Sequence, residues 1–145
     1  MRRGKLWEAV HDEMVEVDVE GQQQWLLLRD LKQLAATHAP DDHVRLLPNF
    51  DSYMLGHAEK DHLLDQRWYK RVYRDAGWIS PVVLLNGRAI GVWSSRRKGK
   101  SLSVLIQPFS KLSRAVRNRI EEEAASLGEF LGLPAEVIYS PSRPG

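Results

Sequence analysis

The run SPVVLLNGRAIGVW, residues 80–93, constrains the fold of this chain more than any other stretch. Two apolar segments flank Asn86-Gly87, and both turn residues accept the positive φ that a two-residue hairpin loop requires. With strands over 80–85 and 88–94, that turn pairs Leu84 with Ala89 and Val83 with Ile90. Side chains alternate along a strand, yet both faces of this pair are then apolar. Such a sheet must be covered on both sides or curled into a small barrel. A third strand over 102–107 turns the hairpin into a meander.

The segments on either side extend the pattern. A helix of about twenty residues begins near Ser110, with Leu112, Val116, Ile120, Leu127 and Leu131 as its apolar stripe. Gly132 and Pro134 stop it, and a strand over 135–139 closes the sheet. Upstream, Leu6, Trp7 and Val10 fall at helical spacing within 4–13. Residues 14–19 alternate Val15, Val17 and Val19 with Glu16, Asp18 and Glu20 close by, the period of a half-buried strand. A turn over 20–23 and a second strand over 25–28 complete a hairpin. Asp30 is placed to cap a helix carrying Leu31, Leu34 and Ala35 that ends before Pro40. After the linker-like 39–42, residues 44–47 read as a strand and 59–64 as a short helix, while 68–73 fit either type. These elements describe an α+β protein. Over residues 1–40 the order helix, hairpin, helix is compatible with a wing and the helices that flank it. Residues 43–145 form a small curled antiparallel sheet or partial β-barrel with a long helix over 110–131.

Composition excludes several classes of function. The 145 residues are 43% apolar, enough for a real core. The chain has no cysteine, so disulfides and thiolate metal sites are ruled out, and a reducing cytoplasm is the expected setting. No apolar run is long enough to cross a membrane. His11, His38, His43, His57 and His62 lack paired ligand spacing, since His57 and His62 at i, i+5 would point to different faces of a helix; no metal site is expected. No serine sits in a Gly-x-Ser-x-Gly elbow and no glycine-rich loop precedes a helix, so neither a catalytic nucleophile nor a cofactor is expected.

Charge is more informative. Residues 76–120 contain no Asp or Glu, yet hold Arg88, Arg96, Arg97, Lys98, Lys100, Lys111, Arg114, Arg117 and Arg119. A one-sided block of this kind suits a polyanion-facing surface. Arg96, Arg97, Lys98 and Lys100 fall at the tip of the second hairpin. Lys111, Arg114 and Arg117 fall in the first turns of the long helix, where the macrodipole favours acids. Each costs about a few tenths of a kcal/mol there. Contact with phosphates accounts for that cost; pairs Arg117–Glu121 and Arg119–Glu123 would offset it instead.

Three blocks together carry a resemblance: LLPNFDSYMLG (46–56), GWISPVVLLNGRAIGVW (77–93) and the basic hairpin that follows. They resemble the C-terminal part of the winged-helix DNA-binding family that includes the crosslink-repair DNA glycosylases of the AlkZ type. The resemblance implies tandem winged-helix motifs followed by a β-barrel-like region, together forming a DNA channel. It also implies that residues 1–40 are the end of a winged-helix unit including its wing, and residues 43–145 the C-terminal β-rich part with its long helix. That family's catalytic Gln-x-Gln or Gln-x-Asp motif lies near the start of a much longer chain. Gln22 and Gln24 match its letters only on the wing hairpin, so no catalytic residue is assigned. Asp51, between Phe50 and Tyr53, is expected to tie down backbone N–H groups in its turn, with Phe50, Tyr53 and Leu55 packed beneath it.

The expectation is therefore a DNA-binding module that contacts double-stranded DNA through Arg96, Arg97, Lys98, Lys100, Lys111, Arg114 and Arg117. A glycosylase activity on alkylated or crosslinked bases would need either a partner chain supplying the missing winged-helix half with its motif or a local site of another kind. A structural domain that self-associates into a homo-oligomer is the third alternative.

Overall fold

The computed structural model describes residues 8–19, 21–38 and 41–141. Their contacts divide into two units, Met1–Ala39 and Pro40–Gly145, which are taken separately.

The first unit is a hairpin with short helical flanks. The expected helix over 4–13 lies partly outside the described residues; residues 8–10 are helical and run into the 3₁₀ turn His11–Glu13. Strands β1 (Met14–Val19) and β2 (Gln22–Leu27) pair antiparallel, with Val15 opposite Leu26 and Val19 opposite Gln22. The turn is tighter than the spacing suggested, because Gly21 at φ 82° donates its N–H to the Asp18 carboxylate at 2.9 Å. The helix α1 (Leu31–Ala36) follows, but its expected cap is not made. Asp30 has helical φ/ψ and its side chain caps nothing; its carboxylate instead lies 3.7 Å from Arg29. No described residue of this unit is fully buried.

The second unit is one sheet between two layers. Its strands are β3 (Val44–Leu47), β4 (Val82–Leu85), β5 (Arg88–Lys98), β6 (Ser101–Pro108) and β7 (Ala135–Tyr139), neighbours in that order. The first four run antiparallel, but β7 is parallel to β6, with Leu102 opposite Ala135 and Ile106 opposite Tyr139. That corrects the all-antiparallel expectation. A parallel pair needs a crossover, and the long helix between β6 and β7 supplies it. The sheet is open, with β3 and β7 as its edges, rather than a barrel.

Both faces are covered, as their apolar patterns require. On one, Val82, Leu84, Ala89 and Val92 pack with Met54, Leu63, Trp68, Val72, Ile79 and Phe109. On the other, Val83, Leu102, Val104 and Ile106 meet Val116, Ile120 and Ala124 of the helix. Burying each large apolar side chain of this kind stabilises the fold by about 1.5–3 kcal/mol.

The hairpin register departs from expectation beyond its first pair. Leu84 faces Ala89, but Val83 faces Gly91 rather than Ile90. A bulge absorbs Ile90, whose carbonyl accepts the Phe109 N–H at 2.9 Å. Gly91 also meets β6 closely: a Cβ there would stand 2.9 Å from the Gln107 carbonyl oxygen.

The face-one layer is built differently from the sequence reading. Residues 59–64 form no helix, although Leu63 and Leu64 are buried. Helices lie instead at α2 (Ser52–Leu55) and α3 (Tyr69–Val72), the second preceded by the 3₁₀ turn Gln66–Trp68. Each segment starts where an Asp accepts an N–H two residues on: Asp51 from Tyr53, and Asp65 from Arg67, both at 2.9 Å.

The long helix, α4 (Arg114–Leu131), starts four residues later than expected because Ser113 caps it, accepting the Val116 N–H at 3.2 Å. Gly132, at φ 65°, ends it. The buried stripe is Val116, Ile120, Ala124 and Gly128; Leu131 is exposed, and Leu112 lies ahead of the helix.

Candidate nucleic-acid interface

Strand β5 is eleven residues long and β4 only four, so β5 outruns its neighbour. The last β4 pair is Val82 with Val92, followed by one bond from the Trp93 N–H to the Pro81 carbonyl at 3.1 Å. From residue 94 onward that edge of β5 has no strand beside it among the described residues. On its other edge β5 stays paired with β6 as far as Lys98 opposite Ser101, and β7 flanks β6 over 102–106. The result is an arm, and of the cations expected at a loop tip Arg96, Arg97 and Lys98 belong to its strand. Only Gly99 and Lys100 form the turn.

Alternation distributes the cations over both faces. Arg96 and Lys98 continue the face of Val92, whereas Arg97 continues that of Trp93 and sits opposite Leu102. The Arg97 Nε–H donates to the Gly99 carbonyl at 3.1 Å, folding that guanidinium over the turn. Residues 94–100 are all exposed. Among the described residues, no carboxylate lies within ion-pair distance of Arg96, Arg97, Lys98 or Lys100.

The second basic group is elsewhere. Because α4 leaves the far end of β6 and returns to pair β7 with Leu102, the helix start and the arm tip lie at opposite ends of β6, roughly 23 Å apart at the rise of a strand. Lys111 precedes the helix; Arg114 opens it. The Arg117 guanidinium stands 4.7 Å above the Tyr139 ring, and the Tyr139 hydroxyl donates to the Arg117 carbonyl at 3.3 Å. Burial raises the Tyr139 pKa, with Glu121 adding to the rise and Arg117 opposing it. The anticipated helix pairs are replaced: Arg119 binds Glu122 at 2.9 Å, and Glu123 reaches across to Arg45 of β3 at 2.8 Å.

The 46–56 block has a defined geometry. Asp51 occupies the N-cap of α2, and Met54 is the buried residue of that helix. Phe50, Tyr53 and Leu55, expected to pack under Asp51, are exposed. The Tyr53 hydroxyl donates to the Gly87 carbonyl at 3.1 Å, tying the block to the hairpin turn. Phe50 holds a positive φ of 58° and meets Trp78 edge-to-face at 5.0 Å.

Sequence spacing separated His57 from His62, but the turn that replaces the expected helix brings them together. Their Nδ1 and Nε2 atoms are 3.1 Å apart. Among the described residues no group of three ligating side chains converges. Gln22 and Gln24 are exposed on β2, facing Val19 and Val17.

Comparison with known proteins adds a second line of observation. A model of AlkZ-like DNA glycosylases matches residues 2–130. An interstrand DNA cross-link repair glycosylase from Streptomyces sahachiroi is 39% identical over 131 residues, covering 88% of this chain and 34% of the relative. The solved structure of the Streptomyces sahachiroi DNA glycosylase AlkZ superposes with a TM-score of 0.71 at 36% identity, over 95% of this chain and 38% of that one. The chain thus spans about a third of the length of the relatives it matches.

Proposed function

The chain belongs to the AlkZ-like DNA glycosylase family, and we propose that it serves as a DNA-holding segment for base-excision chemistry, gripping duplex phosphates with the β5–β6 arm. The observation that carries this is the arm itself: three exposed cations on an extended strand pair and a fourth, Lys100, in its turn, with no carboxylate within ion-pair distance of them among the described residues. Lys and Arg on such a strand pair follow a backbone without reading bases, so affinity would be salt-dependent and weakly sequence-selective. In this reading residues 1–40 are the end of a winged-helix unit with β1–β2 as its wing, and residues 43–145 the β-rich part that follows. Lys111, Arg114 and Arg117 form a second, separate phosphate contact.

Fluorescence anisotropy with a labelled duplex across a salt series tests the reading. The log of the affinity should fall linearly with log salt, at about −0.9 per phosphate neutralised. No binding at low salt would end it.

The cross-link repair activity in the relative's name favours a second reading, base release from alkylated or crosslinked DNA. It would require the family's Gln-x-Gln or Gln-x-Asp segment from a partner chain or another part of the gene product. Absence of any released base from a crosslinked duplex, with that segment added, would exclude it.

A further inference from the structure

Two turns of the second unit hold left-handed residues at or beside exposed aromatic side chains. Phe50 adopts φ 58°, a left-handed conformation that a bulky side chain rarely takes. The residue is nonetheless 42% exposed, so burial in the core does not account for that conformation. Ala76 and Gly77 are likewise at positive φ, and the next residue, Trp78, is 46% exposed. The two rings meet edge-to-face at 5.0 Å.

Their place in the fold relates them to the arm. Residues 48–50 leave β3 beyond Leu47, which pairs with Val82, and residues 78–81 lead into β4 at the same end. Trp93 closes this corner: its indole N–H donates to the Leu47 carbonyl at 2.8 Å, and its main-chain N–H to Pro81. Ser94, Arg96 and Lys98 then carry on outward along the face of Val92, the face on which Ile79 is buried. An exposed aromatic pair therefore stands at the root of an exposed cationic strand.

We propose that Phe50 and Trp78 form a stacking platform for one unstacked nucleobase of the DNA whose phosphates the arm holds. The proposal rests on the DNA-holding reading and adds to it a preference for duplex with an unpaired base. Every base offers a π-face, so the preference would be for the unpaired state rather than for a sequence. Cations on the adjoining strand supply the charge complementarity for the flanking phosphates.

The test compares a fully paired duplex with one carrying 2-aminopurine opposite an abasic site, by anisotropy and 2-aminopurine emission. The wild-type chain should bind the second duplex about ten-fold more tightly and quench its emission. Trp78→Ala and Phe50→Gly should abolish the preference and the quenching while keeping the salt slope. Glycine suits φ 58° better than phenylalanine, so an unchanged or raised melting temperature for Phe50→Gly shows that the loss is not misfolding. Salt-dependent but equal binding to both duplexes overturns this inference alone. Variants that retain the preference also overturn it. No binding to either duplex overturns the DNA-holding reading and this inference with it.

Discussion

The Trp93 indole N–H donates to the main-chain carbonyl of Leu47 at 2.8 Å, joining β5 to β3 across the intervening strand β4. This bond anchors the arm at the point where β4 ends. Trp93→Phe keeps most of the apolar contact but leaves the Leu47 carbonyl without that donor. The expected cost is about 1 kcal/mol in urea unfolding. Amide exchange over residues 94–98 should rise more than elsewhere in the sheet. Equal protection in variant and wild type would show that the bond does not anchor the arm.

Gly128 lies where α4 approaches the entry to β7. A Cβ there would stand 2.6 Å from the Leu133 carbonyl oxygen and 2.9 Å from the Ala135 Cβ. In an exposed helix, Gly→Ala gains about 1 kcal/mol. Here overpacking costs about 1–3 kcal/mol, and the neighbours are backbone and a strand residue with little room to yield. Gly128→Ala should therefore lower the urea midpoint. A raised midpoint would mean that helix propensity outweighs the contact.

Asp65 titrates low, at about 2 against an ordinary 3.8, chiefly because the Arg67 side chain donates to its carboxylate. The Nη2–Oδ2 distance is 2.8 Å. A folded-state pKa below the unfolded one contributes stability that is present above the ordinary carboxylate value and lost as pH falls through about 2. The effect is confined to strongly acid conditions and is small, since the pair is exposed. Carbon NMR of the Asp65 carboxyl should show the low midpoint. Arg67→Gln should return it towards the ordinary value, and an unshifted midpoint in that variant would refute the assignment of cause.

The two basic groups lie at opposite ends of β6 and should act independently. Replacing Arg96, Arg97, Lys98 and Lys100 by Gln should reduce the salt slope of DNA binding by about 0.9 for each phosphate that is no longer neutralised. Replacing Lys111, Arg114 and Arg117 should reduce it separately, and the combined variant should show the sum. Strong non-additivity would mean that the two ends form one binding surface after all.

The residues themselves declared the local structure. Asn86-Gly87 announced its turn through two residues that tolerate positive φ, alternation marked β1, and Gly132 marked the end of α4. Strands β3 and β7 were legible from their apolar runs. Asp51 beside Tyr53 signalled a tied turn, and the block of cations was plain from the acid-free order of residues 76–120. Each of these signals resides in consecutive residues, where φ/ψ preference and periodicity act directly.

What consecutive residues do not carry is which segments become neighbours. The Ile90 bulge, the parallel pairing of β7 and the 3.1 Å approach of His57 to His62 follow from chain reversals and close packing. So do the extension of β5 past β4 and the exposure of Phe50 beside Trp78. Sequence determined that one cationic surface should exist; tertiary structure divided it into two. The α4 crossover must return the chain to the start of β6, which sends Arg114 and Arg117 to the end opposite Arg96 and Lys98.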